Sequence, residues 1–280
     1  MISVVIPTYN RAKYLKKALD SLIKQGVVDN NFEVVVIDDG SRDGTKKISE
    51  QYIKKLNLKY IHSDHGGVSL ARNRGIKESS GDVIVFFDDD AIASVDWIES
   101  IEKIMKKESV ITGSVEPIKN NIWQYFAPHY DQGDKPIKSS VLLEGNCAIK
   151  RKVFDDVGRF DEKLTYGHEG EEFISRASKK YKIMYYPNVI IHHDYAFGIF
   201  NYLNKQFKFG HKMSYLKYDE IKGLFDLIFN YKKIKKGKAE TIKIKKTISL
   251  WNKIRIYKIA KLGSVAHFVG AIIGYLKYRK

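Results

Sequence analysis

An α/β fold is predicted, with a mostly parallel sheet flanked by helices and a C-terminal helical extension, and three observations carry it. Short runs rich in Val and Ile recur early in the chain: ISVVI at 2–6, EVVVI at 33–37, LKYIH at 58–62 and DVIVFF at 82–87. Segments with helical spacing of apolar residues separate them, at 12–25, 43–55 and 68–79. Polar clusters follow three of the runs directly: PTYN after the first, DDGS after the second and DDDA after the fourth. Alternating strands and helices imply right-handed crossovers and a parallel sheet covered on both faces. Ligands of such sheets bind beyond the carboxyl ends of the strands, so the three clusters are expected on one edge.

The second half is less regular. Residues 109–118 and 141–149 read as strands, and 167–181 opens a helix after a glycine-rich turn. Residues 182–195 read as two strand pieces interrupted by Pro187. At 44% hydrophobic residues over 280 positions, there is ample material for a core. The single cysteine, Cys147, excludes an internal disulfide framework and reads as a small buried apolar residue. MISVVIPTYN enters a strand and a turn directly, so no leader is read and a cytosolic location is expected.

The net charge of +16 is unevenly spread. Residues 221–280 hold 16 Lys and Arg against 2 Asp and Glu, a balance of +14, which leaves 33 against 31 for residues 1–220. Two parts are therefore expected, a catalytic domain at 1–220 and a basic amphipathic helical tail at 221–280, joined through a lysine-rich segment at 231–247. Such a tail binds anionic lipid, binds nucleic acid, or presents a solvated helical face.

The stretch VIVFFDDDA, 83–91, sets three carboxylates at the mouth of a strand that reads as buried on both faces. Either a solvated loop ends the strand there, or the acids hold a cation.

SVVIPTYNR (3–11), VVVIDDGSRDGT (34–45), GGVSLARNRGI (66–76), VIVFFDDDA (83–91) and VGRFDEKLTYGHEGEEF (157–173) together resemble family-2 glycosyltransferases of the GT-A (nucleotide-diphospho-sugar transferase) fold over about residues 1–200. The resemblance implies transfer of a sugar from a nucleotide-sugar, with inversion at the anomeric carbon. It implies that Asp88 and Asp90 form a D-x-D pair holding Mn²⁺ or Mg²⁺, with Asp89 pointing elsewhere on an extended chain. Oxygen ligands suit those ions, and the donor's phosphates complete the shell. The resemblance further places Pro7, Thr8, Tyr9, Asp38, Asp39, Arg72, Asp88 and Asp89 on the nucleotide-sugar, UDP being the expected nucleotide. Structural alternatives stand beside these roles: an aromatic covering the sheet edge for Tyr9, an Asx-turn with Gly40 for the two aspartates, and a helix-face ion pair for Arg72.

Inverting transfer needs a carboxylate to deprotonate the acceptor hydroxyl. The resemblance puts an aspartate at position 170, where this chain has Gly170 within HEGEEF. Glu169, Glu171 and Glu172 are the substitutes within reach, in that order. Glu172 also stands four residues before Arg176, the spacing of a helical ion pair, and Glu169 suits the first turn of a helix. Of His192 and His193, which alternate across a strand, family spacing selects His193 for the metal or diphosphate.

The tail contains LGSVAHFVGAIIGYL, 262–276, flanked by Lys258, Lys261, Lys277, Arg279 and Lys280. Fifteen residues fall short of the about 20 that span a bilayer. With Trp251, Tyr257, Phe268 and Tyr275, the segment fits a helix lying in an anionic interface, or one docking on protein through Gly270 and Gly274. The expectation is a cytoplasmic enzyme held peripherally at the inner face of the membrane, with a glycan or lipid-linked acceptor. A nucleotidyltransferase is disfavoured, because PTYNRAKY is no glycine-rich triphosphate loop. A nucleic-acid-binding protein is disfavoured because the acidic edge, without a metal, would repel phosphate.

Overall fold

The computed structural model describes residues 1–25, 32–119, 122–216, 221 and 250–278. The expected lysine-rich segment at 231–247 and the boundary at 220 lie outside these residues. By contacts the chain divides into two units, the first Met1–Glu116, Tyr130–Thr165 and Glu169–His193, the second Pro117–His129, Tyr166–His168 and Asp194–Lys280. The units thus divide after His193 and interleave along the chain.

The first unit is built on a mixed nine-stranded sheet. Its strands are β1 (Ile2–Thr8), β2 (Phe32–Asp38), β3 (Leu58–His62), β4 (Val83–Phe87), β5 (Ile92–Ala93), β6 (Val110–Glu116), β7 (Ile137–Lys138), β8 (Asn146–Lys150) and β9 (Ile183–His192). The order is β3-β2-β1-β4-β8-β6-β9-β5, with β7 on β9. The half read from the apolar runs is parallel throughout, β3-β2-β1-β4. Beyond it, β8 is inserted antiparallel to both β4 and β6.

Alternation along the strands sends neighbouring residues to opposite faces. Val4, Ile6, Val34, Val36, Val85 and Phe87 pack under Leu15, Leu19 and Leu22 of α1 (Ala12–Ile23) and under α4 (Trp97–Met105). Val5, Val35, Ile37, Ile84 and Phe86 face Ala71 and Ile76 of α3 (Val68–Glu78), with α5 (Arg151–Val157) and α6 (Glu169–Ala177) on the same side. Both faces are covered, which is why the strands read as unbroken apolar runs. A short α2 (Thr45–Glu50) ends sooner than expected, giving way to turns before β3. Cys147 is buried among the apolar side chains of the α3 face.

Pro187 does not split β9 in two. The pairing of β6 with β9 slips there, Gly113 opposite Tyr186 and Ser114 opposite Ile190. Asn146, fully buried, fills the bulge by donating to Ser114 O at 2.8 Å and Val189 O at 2.9 Å, and it accepts Trp97 Nε1–H at 2.9 Å. A buried amide with these partners fixes where β8 begins, and so fixes the residues just before it.

The second unit pairs α7 (Ile199–Leu216) with α8 (Leu250–Tyr278), a 29-residue helix that includes the whole uncharged run. Backbones meet closely: a Cβ at Gly270 would lie 2.9 Å from Phe207 C, and one at Gly210 2.7 Å from His267 C. Ser214 Oγ donates to Ala271 O at 2.7 Å. Gly270 and Gly274 thus serve helix contact, and Tyr275 turns onto α7 beside Met213. Leu262, Val265, Val269, Ile273 and Leu276 remain exposed. By length and composition alone, Trp251–Tyr278 suffices to cross a membrane.

Candidate active site

Parallel register sets the edge of the sheet. Thr8 pairs with Asp38 and Asp38 with His62, so three strands end side by side. β4 runs the same way on the other side of β1 and delivers Asp88–Asp90. The three polar clusters share the edge that the sequence assigned them.

At one end of this edge Tyr9, 42% exposed, stacks on His65 with ring centroids 4.1 Å apart and 26° between planes. Asp38 and Asp39 are buried below. Asp38 accepts Ser41 N–H at 2.8 Å and the Tyr60 hydroxyl at 2.5 Å. Asp39 accepts the N–H groups of Gly66 and Gly67 at 2.8 and 2.9 Å and faces His65 Nδ1 at 2.9 Å. Gly67 sits at φ 96°, and a Cβ there would stand 2.7 Å from Thr165 Cβ. Only glycine brings that amide to the carboxylate without strain. Both aspartates therefore shape the turns they stand in. Pro7 is half-buried within β1.

The acidic triplet does not continue as the expected extended chain: it turns, Ala91 N–H reaching back to Asp88 O at 3.1 Å, and the turn separates the three carboxylates. Asp89 turns inward, accepting Thr8 Oγ1–H at 2.7 Å and facing Arg11 Nη1 at 3.2 Å. Thr8 and Asp89 are both buried, so their hydroxyl–carboxylate bond ties β1 to the β4 loop. Burial pushes Asp89 up to about 7, the charges of Asp90 and Asp88 adding to it. Asp90 moves the other way: burial alone would raise it, but His193 and Arg11 hold it ionised well below the ordinary carboxylate range. Arg11 Nη2 binds Asp90 directly, and His193 Nε2 lies 3.2 Å from Asp90 Oδ1. The Tyr130 hydroxyl stands 3.3 Å from His193 Nδ1.

Asp88, Asp90 and His193 bring one ligand atom each to within 4.8 Å of one another. Two carboxylate oxygens and one imidazole nitrogen fit a divalent cation of the Mn²⁺ or Mg²⁺ kind. His192, on the opposite face, lies 3.7 Å from Glu116 Oε2 instead.

Behind Asp88, α3 presents Arg72, 4% exposed. Its Nη1 lies 2.7 Å from Glu169 Oε1 and its Nη2 3.6 Å from Asp88 Oδ1. Burial opposes the Arg72 charge, yet Glu169, Asp88 and Glu144 together raise its pKa. Glu169 opens α6 and is itself buried, its Oε2 meeting no hydrogen-bond partner among the described residues. Glu172 is clamped by Arg176 at 2.6 Å, the helical pair its spacing allowed, and Glu171 is exposed.

Sequence reasoning passed over Arg11, His65, Tyr130 and Glu144. Arg11 and His65 adjoin motifs that were read, so their signal was proximity. Tyr130 carried none, and Glu144 lay within 141–149, read as strand, whereas β8 begins only at Asn146.

A two-faced α/β sheet with these acids on its carboxyl edge defines a transferase of the GT-A class. The model of Glycosyl transferase family 2 matches residues 3–158, more than half of the chain, and the chain belongs to that family of nucleotide-sugar-dependent enzymes. Glycosyltransferase AglE of Haloferax volcanii is 30% identical over 225 residues, covering 75% of this chain and 71% of that protein. The poly(ribitol-phosphate) β-N-acetylglucosaminyltransferase TarS of Staphylococcus aureus is 44% identical over 90 residues, only 31% of this chain and 16% of TarS. Among solved structures, the mannosyltransferase PcManGT of Pyrobaculum calidifontis, in complex with GDP-Man and Mn²⁺, shares the fold at a TM-score of 0.66 and 15% identity. That likeness covers 100% of this chain and 88% of PcManGT. A TarS segment in complex with UDP-GlcNAc gives 0.59 at 18% identity, over 99% and 91%.

Proposed function

We propose that this glycosyltransferase is metal-dependent and inverting, moving a sugar from a UDP-sugar to a lipid-linked or polysaccharide acceptor at the cytoplasmic face of an anionic membrane. The convergence of Asp88, Asp90 and His193 beside Tyr9 carries this reading. Mn²⁺ or Mg²⁺ held by those three would neutralise charge building on the diphosphate as the glycosidic bond breaks. Tyr9 and His65 offer a stacked platform for the base. The edge at Asp38 and Asp39 offers acceptors for its N–H and for ribose hydroxyls. Arg11 and Arg72 supply fixed positive charge behind the acids, which lets three adjacent aspartates share one loop. Deprotonation of the acceptor falls to a carboxylate on the α6 side of the site, with Glu169, Glu171 and Glu172 the candidates from sequence.

The membrane face rests on α8 and on the basic excess after residue 220. The exposed stripe Leu262, Val265, Val269, Ile273 and Leu276 recurs at helical spacing, with lysines before and after it. A thermal-shift panel of UDP-, GDP- and dTDP-sugars with and without MnCl₂ tests the donor assignment. The UDP-sugars should raise the melting temperature most, and only with the metal.

A further inference from the structure

Glu144 stands just before β8, beside the acids of the site. It closes the apolar run VLL, immediately before Gly145 and the Asn146 anchor of β8. Its neighbours are those of the site. A Cβ at Gly145 would overlap Asp88 Oδ2 and stand 2.9 Å from Oδ1, so the backbone beside Glu144 passes against the Asp88 carboxylate. Gly170 N–H donates to Glu144 Oε1 at 2.6 Å. A Cβ built on Gly170 would overlap that same oxygen and lie 2.6 Å from Glu144 Cδ. The space that any side chain at position 170 would enter is occupied by the Glu144 carboxylate.

Two of the other acids on this side are committed. Glu169 is 5% exposed and paired with Arg72, and Glu172 is held by both its oxygens on Arg176. Glu144 is only partly buried, and the Gly170 N–H bond to Oε1 leaves its carboxylate acceptor capacity for an incoming hydroxyl.

We propose that Glu144 is the general base of the transfer, reaching from the start of β8 into the place left open by Gly170. This rests on the transferase reading above. The acceptor O–H proton passes to the Glu144 carboxylate as the acceptor oxygen bonds to the anomeric carbon. The bond from that carbon to the diphosphate oxygen breaks, its electron pair leaving with the diphosphate, and Glu144 then gives its proton to water. Burial and the adjacent Glu169 charge push the Glu144 carboxyl up to about 7 against the pull of Arg72, which suits a base at neutral pH.

The test uses the full chain, UDP-glucose, UDP-galactose and UDP-N-acetylglucosamine as donors, MnCl₂, and cell-membrane lipid extract as acceptor, with UDP release as readout. Glu144→Gln should lower turnover at least about a hundredfold, leave UDP–Mn²⁺ affinity by calorimetry within about twofold, and abolish the acidic limb of the pH profile. The double variant Glu144→Ala with Gly170→Asp places a carboxylate in the same space from the other side. It should recover at least about tenfold over Glu144→Ala, a rescue that a purely structural glutamate would not give. Turnover of Glu144→Gln within a few-fold of wild type overturns the assignment, as does absence of rescue. If wild type binds UDP with no Mn²⁺ dependence and releases none from any donor, the metal-dependent UDP-sugar reading falls and Glu144 with it.

Discussion

Arg72 Nη1 donates to Glu169 Oε1 across 2.7 Å, and neither side chain is more than 6% exposed. Sequence reading offered each a site role and a bland one, a helix-face ion pair for Arg72 and a first-turn acid for Glu169. Their burial makes this pair a strut between α3 and α6 under Asp88. Removing one partner strands a charge in the interior, which costs about 3–5 kcal/mol, while removing both costs far less. Arg72→Met should therefore lower the stability of the metal-free protein by about that amount in urea denaturation. Arg72→Met with Glu169→Leu should regain most of it. A single variant within about 1 kcal/mol of wild type would show that the pair is not coupled as the distance implies.

Glu144 links pH to stability as well as to rate. Its folded pKa, about 7, exceeds the ordinary glutamate value, so the fold favours the protonated form. The stabilising contribution is fully present below the unfolded pKa and is lost as pH rises through about 7. Glu144→Gln removes that loss. Thermal melts without metal should show the variant gaining on wild type between pH 5 and pH 8. An offset that stays constant over this window would mean that Glu144 does not titrate there.

The stripe on α8 predicts where lipid contact is made. Val265→Asp with Ile273→Asp places charge on the exposed face while leaving Gly270, Gly274 and Tyr275 on α7 untouched. Cosedimentation with phosphatidylglycerol vesicles should fall at least about tenfold, because each buried apolar side chain contributes on the order of 1.5–3 kcal/mol. Wild-type binding should also weaken with salt, since each lysine near the surface adds about 1 kcal/mol of screened attraction. A variant that sediments like wild type would move the contact elsewhere.

What was legible in the sequence was what repeats or alternates. ISVVI, EVVVI and VIVFF announced their strands because both faces are covered, whereas the inward position of Asp89 comes from a turn at 88–91 where an extended chain was expected. The convergence of Asp88, Asp90 and His193 was reached only through the family resemblance, since residues 103 apart in sequence leave no local signal of contact. The antiparallel insertion of β8 escaped for the same reason. Counting uncharged residues gave fifteen for the tail helix, whereas α8 runs for 29, because Lys258 and Lys261 interrupt hydropathy without interrupting a helix. Glu144 was invisible because its partner, Gly170, declares itself only by lacking a side chain.

On the proposed function, the β4 edge holds a cation for a nucleotide diphosphate. Calorimetric titration of UDP into wild type and Asp90→Ala, with and without MnCl₂, tests it most directly. Asp90 lies at a strand exit and shares Arg11, itself 35% exposed, with Asp89, so its loss strands no arginine and should leave the fold intact by circular dichroism. Wild type should bind UDP saturably with Mn²⁺ and lose at least about tenfold in affinity without it, the low end for disrupting a metal site. Asp90→Ala should bind UDP equally weakly in both conditions. Equal Mn²⁺-dependent UDP affinity in the folded variant and wild type would contradict the assignment of the edge.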